Sequence, residues 1–126
     1  SEMCIRDRLQ VPYSPQTHHL IGAVQLAKMK HGAILINSTR GGVVDDAALV
    51  DALKNGRLRG AGLDVYENEP KLHPGFLQLD NVVLAPHVGS STEATRRAMA
   101  MLAARNLVAA LTGQLPPNLI NPEARK

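Results

Sequence analysis

Short apolar runs of strand length alternate with helical segments along most of this chain, and this alternation constrains its fold more than any other feature. The apolar runs predict four strands, at residues 9–12, 33–37, 60–65 and 82–85. Three helices are predicted between and after them, at residues 23–29, 46–55 and 93–111. This order of elements is typical of an α/β fold with a parallel sheet. We expect buried strands at residues 33–37 and 82–85, the first covered on both faces because its apolar run is continuous.

The ends of the helices carry their own sequence signals. Asp45 is a good N-cap for the second helix, and Gly56 follows that helix where a glycine often ends one. Ser90 and Glu93 have the spacing of a capping box, which predicts the start of the last helix. Because this helix is apolar on nearly every side at residues 98–104, we expect it to be covered from more than one direction.

Composition argues against several functional classes. The 126 residues are enough for one small domain, and the formal net charge is only +3. With three aromatic residues and no concentrated basic segment, no nucleic-acid interface is expected. No apolar run approaches the ~20 residues of a membrane span, so no membrane partner is expected. The single cysteine, Cys4, leaves no intrachain disulfide and fits a reducing, cytoplasmic compartment.

Chemically useful side chains follow three of the predicted strands. Arg40 comes after the strand at 33–37, Asp64 and Glu69 come at and after the end of the next, and His87 follows the strand at 82–85. Because the carboxyl ends of parallel strands share one edge of a sheet, we expect these side chains to lie along that edge. Arginine binds carboxylates through two hydrogen bonds, and a histidine held by a carboxylate is a general acid–base unit. Together they suit an anionic substrate with a carbonyl that needs a proton.

Other interpretations of these residues stay open at this point. By position alone, Arg40 is also typical of a solvated turn, and Asp64 of a cap or turn. Glu69, which precedes a proline, is typical of an exposed side chain, and His87 could be a surface or packing residue. Ser38 with His87 would suit a nucleophile, but the G-x-S-x-G sequence is absent, which disfavours a hydrolase. No histidine pair has metal-ligand spacing, so no metal site is predicted. Four further histidines are interpreted as surface or packing residues: His18, His19, His31 and His73.

Four motifs resemble those of one enzyme family, the D-isomer-specific 2-hydroxyacid dehydrogenases. They are VPYSPQT at residues 11–17, NSTRGGVVD at 37–45, GLDVYENEP at 62–70 and NVVLAPHVGS at 81–90. With the helix at 93–100, the resemblance covers residues 9–122 and is strongest to the branch of glyoxylate/hydroxypyruvate and 2-ketogluconate reductases. It implies the C-terminal half of a Rossmann-type parallel sheet over residues 9–90. Residues 91–126 would be a helix and tail that return to a substrate domain, and residues 1–8 do not fit and are expected to be a non-native extension.

The resemblance also implies roles for individual residues. Arg40 would bind the carboxylate and carbonyl of a 2-oxo acid. His87 would give the carbonyl oxygen its proton, and Glu69 would hold His87 and favour its charged form. The cofactor would be NAD or NADP, contacted by residues in all four motifs: Pro12, Thr17, Thr39, Arg40, Asp64, His87, Gly89 and Ser90. In this interpretation the cofactor supplies the hydride and the protein supplies orientation and the proton.

The resemblance leaves more than one function open. The parent enzyme would reduce small 2-oxo acids such as glyoxylate, hydroxypyruvate or 2-ketogluconate to D-2-hydroxy acids, and would be a cytoplasmic homodimer. The first half of a Rossmann unit carries the glycine fingerprint for the pyrophosphate, and neither G-x-G-x-x-G nor a P-loop occurs here. We therefore expect this chain alone to be inactive. The alternatives are a nucleotide-sensing or corepressor-type binding module that keeps the same residues, or an inactive truncated fragment.

Overall fold

The computed structural model describes residues 6–124, and the side chains of residues 7–123. The chain divides into two compact units, one ending at Gly89 and the other beginning at Ser90. The first unit is built around four parallel strands: β1 (Arg6–Arg8), β2 (Ala33–Asn37), β3 (Leu58–Leu63) and β4 (Val82–Leu84). Their order across the sheet is the same as their order along the chain. The predicted α/β fold with a parallel sheet is therefore confirmed.

Two helices of the first unit lie between these strands in the chain. They are α1 (Ala23–Lys28) and α2 (Asp46–Lys54). Asp45 caps α2 as predicted, because its carboxylate accepts a hydrogen bond from the Ala48 N–H at 3.0 Å. Short 3₁₀ turns at Gly41–Val43 and Pro74–Gln78 complete the connections. The helices pack on each other and α2 packs on β3, which gives the unit its buried core.

Two predicted strand positions were wrong by a few residues. The first strand is Arg6–Arg8 rather than residues 9–12, and the ladder ends soon afterwards with the Leu9 N–H bound to the Ile36 carbonyl at 3.1 Å. Main-chain pairing with β2 holds this charged segment without an apolar pattern. The rest of the predicted non-native extension, residues 1–5, lies outside the described residues. Strand β3 begins at Leu58 and ends at Leu63, so Asp64 lies just beyond it.

The predicted burial of two strands was also wrong. Alternate residues of β2 are fully buried, whereas Ile34 and Ile36 on its other face are only partly covered. In β4, Val83 is 73% exposed. The helices of this unit cover one face of the sheet well, and the buried core on that face includes Leu35, Leu49, Leu58 and Phe76. The continuous apolar pattern of β2 correctly predicted a strand, but it wrongly predicted that both faces of that strand are buried.

The second unit consists mainly of α3 (Glu93–Leu111), followed by a short 3₁₀ turn at Pro122–Ala124. Its N-cap is Thr92, whose hydroxyl accepts a hydrogen bond from the Thr95 N–H at 3.2 Å, so the predicted capping box at Ser90 and Glu93 was wrong. Met99 and Leu102 are about half exposed, at 54% and 44%. Among the described residues, no helix has both the length and the hydropathy to cross a bilayer.

Candidate active site

A cleft of about 1040 Å³ lies where β2, β3 and β4 end. Four loops meet there, and they are named here by their position: the first loop (residues 9–20), the β2 loop (38–45), the β3 loop (64–71) and the β4 loop (85–89). The sequence predicted that strand ends would bring the candidate residues together. Five of those residues line the cleft: Pro12, Thr39, Arg40, Glu69 and His87.

The β2 loop is held from below by a buried amide. Asn37 is 1% exposed, and its side-chain N–H donates to the Arg40 carbonyl at 3.0 Å. Its side-chain oxygen accepts from the main-chain N–H of Thr39 at 3.1 Å and from the Thr39 hydroxyl at 2.9 Å. These bonds satisfy the buried amide and fix the backbone of both cleft residues. Sequence reasoning placed Asn37 at the strand end but missed this role.

The Arg40 side chain is exposed at the mouth of the cleft. Its guanidinium donates one hydrogen bond to the Thr39 carbonyl at 2.7 Å. A guanidinium has five N–H donors, so most of its donor capacity is left to face a ligand. Arg40 also acts electrostatically on Glu69, because its positive charge is one of the influences that lower the pKa of that carboxyl.

His87 and Glu69 form the hydrogen-bonded pair that the sequence predicted. His87 Nδ1 lies 2.8 Å from Glu69 Oε2, and Glu69 Oε1 accepts the Tyr66 N–H at 2.9 Å. Burial acts to raise the pKa of Glu69, but the hydrogen bonds from His87 and Tyr66 and the nearby positive charges lower it below its ordinary value. Glu69 is therefore an ionised acceptor that occupies Nδ1 and leaves Nε2 of His87 free to carry a proton toward the cleft.

The backbone at His87 has an unusual conformation that the sequence did not predict. Its φ is +53°, in the left-handed region that residues other than glycine rarely adopt. The His87 N–H donates to the Ala85 carbonyl at 3.1 Å, and the ring is held by Glu69. Such a conformation costs of order 1–3 kcal/mol and persists only where surrounding contacts enforce it.

Asp64 and Thr17 are bound within the loops rather than lining the cleft. The two carboxylate oxygens of Asp64 accept the main-chain N–H groups of Val88 and Gly89, at 2.8 and 2.9 Å. Each oxygen keeps a second acceptor site, so its contact with a nicotinamide carboxamide stays a prediction. The Thr17 hydroxyl donates to the Pro12 carbonyl at 2.8 Å and so shapes the first loop. Ser90 belongs to the second unit.

Tyr66 fastens the ends of β3 and β4 together. Its hydroxyl lies 2.7 Å from the Ala85 carbonyl and 3.2 Å from the Leu63 carbonyl. Burial raises the pKa of Tyr66, so the hydroxyl stays neutral and donates.

A second cavity of about 570 Å³ lies beside the first and is lined partly by Pro70, Leu72 and Leu84. Tyr66, Glu69 and His87 border both cavities.

A second histidine–carboxylate pair lies at the cleft, which the sequence did not predict. His19 Nε2 is 2.7 Å from Glu67 Oε1, and the His18 ring stacks on the His19 ring with centroids 3.9 Å apart. Within the described part of the chain, His18, His19 and Glu67 bring possible metal-ligand atoms within 4.8 Å of one another. The stacked rings direct their lone pairs along nearly parallel planes, which is unsuited to sharing one ion. We therefore interpret this group as a hydrogen-bonded contact between loops.

Comparisons with known proteins agree with the motifs. The profile of "D-isomer specific 2-hydroxyacid dehydrogenase, NAD binding domain" matches residues 8–89. The glyoxylate reductase of Thermococcus litoralis is 52% identical over 115 residues, which are 91% of this chain and 35% of that enzyme. Glyoxylate/hydroxypyruvate reductase B of Erwinia tasmaniensis is 55% identical over 115 residues, 90% of this chain and 36% of the enzyme. The chain thus spans about 35% of the length of these curated relatives.

Solved structures agree with the same assignment. The NADPH-dependent glyoxylate/hydroxypyruvate reductase of Sinorhizobium meliloti, in complex with NADP and malonate, has a TM-score of 0.79 and 44% identity, covering 82% of this chain and 33% of that one. A protein from Thermus thermophilus has a TM-score of 0.86 and 47% identity, covering 91% and 37%. Because the profile matches residues 8–89, which are more than half of the chain, this chain belongs to the D-isomer specific 2-hydroxyacid dehydrogenase family, and those residues match its NAD-binding domain.

Proposed function

We propose that this chain supplies the acid–base and substrate-binding residues of a reductase that converts small 2-oxo acids into D-2-hydroxy acids with NAD(P)H. The observation that carries the proposal is the 2.8 Å hydrogen bond between His87 and Glu69 in the cleft that Arg40 also lines. Relatives at 52% and 55% identity are named glyoxylate reductase and glyoxylate/hydroxypyruvate reductase. Glyoxylate and hydroxypyruvate are therefore the first substrates to test, and 2-ketogluconate is the third.

Arg40 is proposed to bind and orient the substrate. Its planar guanidinium suits the bidentate geometry of a carboxylate, and its exposed position lets a small anion reach it from solvent. The carbonyl of a 2-oxo acid lies next to the carboxylate, so binding one group positions the other. An Arg40→Lys change keeps the positive charge but loses the pair of parallel N–H donors that binds a carboxylate.

His87 is proposed to move the proton. In reduction, Nε2–H protonates the carbonyl oxygen as the carbonyl carbon accepts a hydride, and the product is the hydroxyl group of a 2-hydroxy acid. Glu69 accepts the Nδ1–H hydrogen bond, so the ring presents Nε2 in a fixed direction. In oxidation, Nε2 accepts the proton.

The residues present suit a nicotinamide cofactor. The cleft volume is large enough for the nicotinamide and ribose, and its wall offers the main chain of Thr39 and Arg40, fixed by Asn37. We assign Pro12, Thr39 and Arg40 to the ring and ribose side, with Asp64 and Gly89 nearby and Thr17 shaping the loop. The hydride is supplied by the bound cofactor.

The proposal extends to assembly and location. The family resemblance supports a homodimer for a protein of the relatives' length. Residues 9–126, which the family resemblance covers, contain no cysteine and so form no disulfide, which fits a reducing, cytoplasmic compartment.

The test uses a chimera in which the 115 matched residues of the T. litoralis glyoxylate reductase are replaced by those of this chain, named here the reductase chimera. It should oxidise NADH or NADPH in the presence of glyoxylate. His87→Ala should lower kcat by about 10²–10⁴-fold, the usual contribution of general acid–base catalysis. Arg40→Lys should raise the KM for glyoxylate by about tenfold, a loss of about 1.4 kcal/mol of binding.

His31→Ala is the matched control, because His31 is exposed and precedes β2, at the opposite end of the strand from Arg40. It should leave kcat and both KM values at the level of the parent chimera. Parental turnover in the His87→Ala chimera would exclude the proposed proton transfer. A chimera that binds nucleotide but reduces none of the three 2-oxo acids would favour the nucleotide-sensing alternative.

A further inference from the structure

His19 lies in the first loop and contacts two of the other three loops that form the cleft. Its main-chain N–H, within the first loop, donates to the Gly42 carbonyl of the β2 loop at 2.8 Å. Its ring Nε2 is 2.7 Å from Glu67 of the β3 loop, and its Nδ1 faces Asp45 at 3.9 Å. The ring thus lies between carboxylates at the base of two different loops. A solvated surface histidine would not have these contacts.

Both ends of this connection are themselves fixed. The His19 backbone has a φ of +49°, a left-handed conformation uncommon outside glycine and enforced by its surroundings. The Glu67 N–H donates to the carboxylate of Asp46, a residue 5% exposed in the first turn of α2. Burial raises the pKa of Asp46, although the bond from Glu67 opposes this. The His19–Glu67 pair therefore joins the first loop to a rigid part of the unit.

The two loops joined by this pair carry different parts of the candidate site. The first loop contributes Pro12 and Tyr13 to the cleft wall, and the Tyr13 hydroxyl is 3.2 Å from Nδ1 of His18, whose ring stacks on His19. The β3 loop contributes Glu69, two residues after Glu67. Among the described residues, the hydrogen bond between the His19 ring and Glu67 is the one direct side-chain hydrogen bond between the first loop and the β3 loop.

We propose that His19 is a positioning residue that holds the first loop, on the cofactor side of the cleft, against the β3 loop through Glu67. This inference rests on the proposed function for its catalytic meaning. His19 itself does not touch the reacting atoms. Its loss should leave the His87–Glu69 pair in place and loosen the wall that faces the nicotinamide ribose.

Kinetics of the reductase chimera distinguish this role from simple stabilisation. In His19→Ala we expect the KM for NAD(P)H to rise by about five- to tenfold while kcat at saturating cofactor falls by less than about threefold. A purely structural loss would reduce the active fraction, which lowers kcat and leaves KM unchanged. His19→Gln offers an amide N–H at a similar reach and should restore KM to within about twofold of the parent. His31→Ala should change neither value.

Hydrogen exchange on this chain gives a second readout that does not depend on turnover. The N–H groups of Thr17 and Ile21, bonded to Ser14 and Val43, should exchange about tenfold faster in His19→Ala than in the parent or in His31→Ala. An inactive parent chimera would contradict the proposed function. In that case the exchange rates at Thr17 and Ile21 would still test whether His19 holds the first loop. Unchanged exchange rates at Thr17 and Ile21 would overturn it, as would an unchanged KM for the cofactor in an active chimera.

Discussion

Gly41 lies where the β2 and β3 loops touch, and Gly41→Ala should force them apart. A Cβ built at this buried glycine would lie 1.8 Å from the Tyr66 carbonyl oxygen and 2.5 Å from the Glu67 nitrogen. Ordinary contact begins at 3.4 Å, so the β3 loop must retreat by about 1.6 Å. Because the obstacle is backbone, no side-chain rotation relieves it. We expect a loss of about 2–3 kcal/mol in the free energy of unfolding, at the upper end of overpacking effects.

The same displacement should impair catalysis. Arg40 precedes Gly41, and the Tyr66 N–H holds Glu69, so a shift between these loops changes the distance between the proposed substrate-binding and acid–base groups. Misplacement by about 1 Å can cost on the order of 10²-fold in rate, and we expect a loss of that size in kcat/KM for the reductase chimera.

Gly42→Ala is the matched stability control. Its Cβ would meet Tyr13 Cε2 at 2.7 Å, but that ring is 51% exposed and can rotate outward at the cost of one exposed hydrogen bond, to His18. Both changes reduce the freedom of the unfolded chain equally, so their difference isolates the backbone clash. Guanidinium unfolding of the two variants measures this difference. A Gly41→Ala stability within about 0.5 kcal/mol of Gly42→Ala would refute the argument.

Three further predictions concern this chain itself. Burial opposes ionisation of Glu69, but its hydrogen bonds with His87 and Tyr66 hold its pKa in the folded protein below the ordinary 4.5. The ionised carboxylate therefore stabilises the fold fully above pH 4.5, and this stabilisation is lost as the pH falls through the lowered pKa of the folded state. Because this carboxylate is about one-third exposed, Glu69→Gln should lower the free energy of unfolding by at most about 1 kcal/mol near neutral pH. Denaturant unfolding at several pH values should show the stability difference between the parent and Glu69→Gln shrinking in acid. A stability difference that grows in acid would contradict this prediction. Asn37→Ala should cost about 1–3 kcal/mol in denaturant unfolding, because the Arg40 carbonyl loses its donor. These 126 residues alone should not oxidise NADH with glyoxylate, because they contain no G-x-G-x-x-G motif to bind the pyrophosphate, and steady turnover in that assay would contradict this prediction.

The fold could be predicted because it depended on local patterns, whereas the pairing of Glu69 with His87 was implied by the family resemblance. Apolar runs of strand length, interrupted by helical spacing, indicated a parallel sheet, and parallel strands necessarily align their carboxyl ends. Strand order alone placed Glu69 and His87 at the same edge of the sheet, and the motifs of the family, not the strand order, indicated that the two side chains would pair. The N-cap at Asp45 was equally local, because its partner, the Ala48 N–H, is three residues away.

The features that escaped prediction depend on contacts between distant residues. His19 and Glu67 are 48 residues apart, and neither has a helical or strand spacing that signals a partner. The close approach of Gly41 to Tyr66 depends on how two loops cross, which a glycine pair alone does not specify. The burial of β2 and β4 was predicted wrongly. An apolar strand sequence shows which side chains favour burial, but the elements packed against the strand determine which of them are buried.

Strand β3 organises the acid–base site more than the strand that precedes His87. Its register pairs Leu63 with Leu84, so the residues just after β3 face the β4 loop. From that position Asp64 binds two main-chain N–H groups of the β4 loop, while Glu69 binds the His87 ring. One carboxylate thus fixes the backbone and the other fixes the imidazole. Together they account for a histidine held at positive φ, because neither contact alone would determine both the position of the loop and the direction of the ring.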